Sequence, residues 1–113
     1  MENIELYVRD VVKNAAGEVV VVAIPNNRLP VKVGDVFRVK YEVERTRDDI
    51  VKGLPLSETR LNAVQIDLVV EKIDVMRQLV EQLPAGMTGG LYMSGSGLAH
   101  IVPKCFLRTD PSI

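Results

Sequence analysis

The sequence predicts a mainly β domain: a small closed antiparallel β-barrel of about six strands with one short helix. Three observations carry this prediction. Apolar and polar residues alternate with a period of two along several segments, most cleanly from Val36 to Arg45. Gly and Pro interrupt the chain at short intervals, as the turns of a small barrel require. The apolar material is also aliphatic. Hydrophobic residues make up 47% of the 113 residues, yet there is no Trp and there are only three Tyr and two Phe. Valine is the most conspicuous of the apolar residues, and its stiff χ1 suits a pleated surface.

One domain, 1–113, is expected from this length. Asn3 to Lys13 reads as a half-buried strand with Ile4, Leu6 and Val8 on one side. "KNAAGE" supplies a turn, and the β-branched run "EVVVVAI" reads as a strand buried on both faces and ended by Pro25. A short extended piece, Leu29 to Val33, precedes a Gly34-Asp35 turn. From Val36 to Arg45, Phe37, Val39, Tyr41 and Val43 are assigned to the core, and Arg38, Lys40, Glu42 and Glu44 to water. Thr46 to Arg60 breaks the pattern as a long loop, and Leu61 to Ile73 resumes it. Asp74 then has the character of a helix N-cap, with Val75, Met76, Leu79, Val80 and Leu83 at helical spacing and Pro84 as the stop. Two short strands are expected around Gly90–Met93 and Leu98–Val102, with a third piece near Cys105–Arg108.

Two stretches make the architecture more specific. "LPVKVGDVF" spaces an extended piece, a Gly-Asp turn and a strand. About fifty residues on, "VMRQLVEQLPAGMTGGLYMSG" spaces an Ala-Gly turn, a small-residue approach and a strand ending in glycine. In this order they resemble the second-domain β-barrel of translation GTPases of the elongation factor Tu type, over roughly Ile4 to Val102. The resemblance implies a translation-factor-like barrel standing alone. No G-x-x-x-x-G-K-[ST] occurs, so neither a GTPase domain nor a nucleotide cofactor is expected. In those factors the barrel helps hold the tRNA acceptor end or contacts the ribosome. None of those contacts can be placed on residues of this chain.

Charge and composition narrow the function classes. A net charge of −1 gives no overall pull toward nucleic acid. An RNA- or ribosome-associated role is the alternative, and Lys32, Arg38 and Lys40 on one solvent face would count for it. Cys105 is the only cysteine, so no internal disulfide forms. No signal peptide or membrane span is expected, and the cytoplasm is the expected location.

The stretch "LPAGMTGGLYMSGSG" holds five glycines and no charge. A phosphate cradle would lead into a helix, whereas this one leads into a strand. Gly86, Gly89 and Gly90 are therefore assigned to turns and close strand crossings. Ser94, Ser96, His100 and Cys105 form no recognisable nucleophile–base pattern. One His and one Cys make no metal set. No catalytic residue, cofactor or metal is expected.

What remains is recognition. The loop 45–60 offers Arg45, Arg47, Asp48, Ile50, Leu54 and Arg60, apolar anchors rimmed by charges, as at a protein–protein contact. The expected function is a non-enzymatic binding module for a protein partner, one form of which is an immunity-type inhibitor of a toxin. A homodimer paired through the uncharged glycine-rich edge is also expected.

Overall fold

The computed structural model describes residues 4–26, 28–43 and 60–110, with backbone alone at 43 and 60–62. The strands are β1 (Glu5–Lys13), β2 (Val19–Pro25), β3 (Val31–Lys32), β4 (Val36–Val43), β5 (Arg60–Val75), β6 (Gln78–Val80), β7 (Gln82–Leu83), β8 (Gly89–Ser96) and β9 (Phe106–Arg108). The one helical element among the described residues is a 3-10 turn at Leu98–His100. The main sheet runs β4-β9-β1-β2-β8-β5-β6, and a further β4–β5 pairing closes the first six of these strands into an antiparallel barrel. β3 and β7 form a separate two-stranded ribbon.

The interior is one cluster built from every strand of the barrel. Leu6 and Val8 come from β1, Val21 and Ala23 from β2, and Phe37 from β4. Ile66, Leu68, Val70 and Ile73 come from β5, Leu91 and Met93 from β8, and Leu107 from β9. Val31, Leu83, Ile101 and Cys105 complete it. Phe37 is its single aromatic, as an aliphatic-rich composition requires. Long β5 makes this closure work. Its first half pairs with β4, and its second half pairs with β8 on one side and β6 on the other. A register shift between Val70 and Lys72 bends the strand between these duties.

Strand β4 departs from the face assignment its alternation predicts. Register shifts fall between Phe37 and Val39 and again between Lys40 and Glu42. Lys40 lies directly opposite Leu107, which lies opposite Leu6, and both leucines belong to the core. Directly opposed residues share a face, so Lys40 faces inward and is 6% exposed. Tyr41 lies opposite Phe106, and Phe106 opposite Tyr7, on the other face. Tyr41 and Val39 are buried but stand outside the core cluster.

Two other elements also differ from expectation. No helix forms over 75–83. Val75 pairs with Gln78 across a two-residue turn at Met76-Arg77, and the chain continues as β6 and β7. Both turn residues have positive φ, 52° and 66°, as the type I′ hairpin turn demands. Leu98–Val102 is not a strand. Left-handed Gly97 turns the chain out of β8 into the 3-10 turn.

The glycine-rich stretch is structural. Gly89 and Gly90 lie in β8, where a β-carbon would press on the side chains of Leu83 and Val20. Gly95 has φ 129°, and a β-carbon there would run into the carbonyl oxygen of Asp67. β8 sits between β2, with which Gly89–Leu91 pair, and β5, with which Gly90–Ser96 pair. Gly95→Ala is predicted to cost about 3 kcal/mol, combining left-handed strain with the overlap. Gly17→Ala, at φ 82° with open space around it, should cost only about 1 kcal/mol. Urea denaturation of both variants checks the difference.

Candidate functional site

Near the end of β4 lies Lys40, the one buried charged side chain among the described residues, with the half-exposed Glu42 two positions on. Val43 and Arg60 are register partners there, so the segment between them leaves and re-enters the barrel at adjacent positions. Of the six residues predicted to contact a partner, Arg45, Arg47, Asp48, Ile50 and Leu54 lie outside the described residues. The backbone of Arg60 is placed at the start of β5, and its side chain lies outside the description.

Inside this end, Lys40 Nζ lies 3.6 Å from Glu42 Oε2. A buried ammonium is costly unless paired, and Glu42, two residues along the same strand, supplies the countercharge. Cys105 lies beside them, fully buried in the core. Burial pushes its thiol pKa above the ordinary 9.0, with the Glu42 carboxylate adding to the rise. A hydrogen bond from the Val102 backbone and the positive charge of Lys40 oppose it. The thiol is therefore held protonated and out of reach, the opposite of an activated nucleophile.

On the other face, Glu5 ties three segments together. Tyr41 Oη donates to Glu5 Oε2 at 2.8 Å, and Asn26 Nδ2 donates to Glu5 Oε1 at 2.7 Å. Arg108 Nε stands 3.9 Å from Glu5 Oε2; it is buried and makes no hydrogen bond. The aromatic rings sit next to this network. Tyr41 stacks on Phe106 at 5.6 Å and 13°, and Tyr7 meets Phe106 at 5.2 Å and 52°.

The residues weighed for nucleophilic chemistry are not brought together. Ser94 is exposed and donates to Glu71 Oε1 at 2.5 Å. Ser96 and His100 are also exposed, His100 on the 3-10 turn, whereas Cys105 is in the core. Among the described residues, no three His, Cys, Asp or Glu side chains gather as metal ligands. Nor is any helix long and apolar enough to cross a membrane.

Sequence reasoning passed over two features. Lys40 was assigned to water, and only the bulge before it shows otherwise. The β5–β6 hairpin exposes Met76 at 91% and Leu79 at 70%, two large apolar side chains that the helix reading placed on a packed stripe. Its Met-Arg turn is the one local signal. Left-handed angles cost non-glycine residues about 1–2 kcal/mol each, and Asn-Gly would adopt them readily.

Comparison of the chain with protein-family models, with curated proteins and with solved structures gave no match.

The raised thiol pKa has a signed consequence. The folded state keeps the Cys105 proton to higher pH than the unfolded chain does. The stability this contributes is fully present below pH 9.0, the thiol's ordinary pKa, and is lost as pH rises through the folded pKa. Urea midpoints should therefore fall more steeply above pH 9.0 in the wild type than in Cys105→Ala.

Proposed function

We propose that this chain is a non-enzymatic binding module, a translation-factor-like barrel that engages a protein partner in the cytoplasm through residues 45–60. One observation carries the reading: the two ends of that segment are pinned as the register pair Val43 and Arg60 on a closed barrel. A rigid scaffold that displays a long connection from two adjacent positions is a recurring design for recognition, because the scaffold fixes where the contact residues are offered. Arg45, Arg47 and Asp48 would supply the charged rim, and Ile50 and Leu54 the apolar anchors. Arg60 would sit at the root. The buried, protonated state of Cys105 and the exposed, separate position of His100 agree with recognition rather than nucleophilic catalysis.

The RNA-associated reading lacks one feature that would count for it. Lys40 faces the barrel interior, so Lys32, Arg38 and Lys40 do not make one solvent face. The elongation factor Tu resemblance supports the barrel scaffold and leaves the role to the segment mounted on it.

A tagged pulldown from host lysate, run with and without RNase, tests this reading. One protein recovered in both arms is expected, and the triple variant Arg47→Ala, Asp48→Ala and Leu54→Ala should weaken its capture at least about tenfold. Capture that is unaffected by the triple variant would remove the proposed site. Recovery that disappears with RNase would replace the protein partner by RNA.

A further inference from the structure

The last two residues of β4 are joined to the barrel less firmly than the rest of the strand. Pairing with β9 runs from Val39 to Tyr41 and ends there. Pairing with β5 continues, but a register shift falls between Lys40 and Glu42, and Tyr41 has no register partner on β5. The pairs Glu42–Leu61 and Val43–Arg60 therefore stand beyond a break in the ladder, and among the described strands only β5 flanks them. An irregularity of this kind bends the strand and interrupts the local hydrogen bonding. These two pairs are also the root of the long connection between β4 and β5.

One ion pair spans the break. Lys40 stands on the barrel side, opposite Leu107 and Val64, and Glu42 stands on the root side. Their charges meet at 3.6 Å, with the Lys40 side chain 7% exposed and the Glu42 side chain 33%. The ammonium is thus fixed inside the barrel, and the carboxylate is the end with access to water. Turning Glu42 outward would leave a buried charge without its partner, which is strongly unfavourable. Glu42 is therefore held on the inner face, with its backbone opposite Leu61. Stability alone does not call for a charge at position 40, because an apolar residue of similar size would serve the interior as well.

We propose that Lys40 and Glu42 act as a tie across this break and hold the root of the connection in register with β5. Both are positioning residues. The tie fixes where the chain leaves β4 at Val43 and where it returns at Arg60. Its use in recognition rests on the partner-binding reading of residues 45–60, whereas the tie itself does not.

Native-state amide hydrogen exchange of the free protein, followed by NMR, tests the tie. No partner is present, so failure of the tie and failure of the binding reading are separate results. Lys40→Met removes the charge and keeps an unbranched side chain. The protected amides among Glu42, Val43, Arg60 and Leu61 are expected to exchange at least about fivefold faster in this variant, with Val21 and Leu91 exchanging no faster than in the wild type. Glu42→Gln should also speed the root amides relative to Val21 and Leu91. The double variant Lys40→Met/Glu42→Gln should be no faster at the root than Lys40→Met alone, the non-additivity of two residues that act as a unit. Root amides that keep wild-type rates in Lys40→Met overturn the proposal. Acceleration shared equally by Val21 and Leu91, or a Lys40→Met chain that does not fold, overturns it too, because the pair would then support the whole barrel. So does a double variant in which the two single effects multiply.

Discussion

The barrel is closed by three residues. β9, Phe106–Arg108, pairs with β1 on one side and β4 on the other, so one short strand carries the junction on which the rest of the closure depends. Its two faces do different work. Inward, Leu107 stands between Leu6 and Lys40, extending the aliphatic interior across the seam. Outward, Phe106 stands between Tyr7 and Tyr41, and the three rings form a separate layer. Aromatic contacts of this kind add about 0.5–1.5 kcal/mol each beyond the area they bury. Glu5 reinforces the same seam by accepting from Tyr41 and Asn26. A seam of three residues therefore has packing on both sides of its hydrogen bonds.

That arrangement requires β4 to exchange its faces. Phe37 must enter the core opposite Leu68, while Tyr41, four residues later on the same strand, must reach the outer rings. In an unbroken strand both would point the same way. The irregularity after Phe37 resolves the conflict and has a chemical consequence: Lys40 is brought inside. A buried ammonium contributes little to stability even when paired, so its presence is explained by the geometry of the seam and by Glu42 nearby. Bulges of this kind commonly sit beside functional regions, and this one lies a few residues before β4 gives way to the 44–59 connection.

Most of the fold was legible because the interior is aliphatic and the strands keep a period of two. Leu6 and Val8, and later Leu68 and Val70, took the faces their alternation indicated. β4 misled because apolar residues continue on both sides of its bulge. Val39 and Tyr41 are buried as expected, but against a different layer. The 75–83 segment misled for another reason. Val75, Val80 and Leu83 do serve the interior, and the exposed Met76 and Leu79 filled the gaps that turn their spacing into a helical stripe. Periodicity records which residues are apolar and says nothing of which are covered. The Gly-rich stretch was legible as turns and crossings, because only such geometry calls for so many missing side chains. Of the residues expected to meet a partner, the description reaches only the backbone of Arg60. Its pairing with Val43 was not readable from a loop that carries no periodic signal.

The central claim is that β4 turns Lys40 inward and Tyr41 outward to complete the seam with β9. Nuclear Overhauser contacts in the folded protein test it most directly. The account predicts cross-peaks from the Lys40 side chain to the methyl groups of Leu107 and Val64, and from the Tyr41 ring to the ring of Phe106. Cross-peaks from Tyr41 to Leu6 and Leu68, with a Lys40 side chain showing none to Leu107, would contradict it.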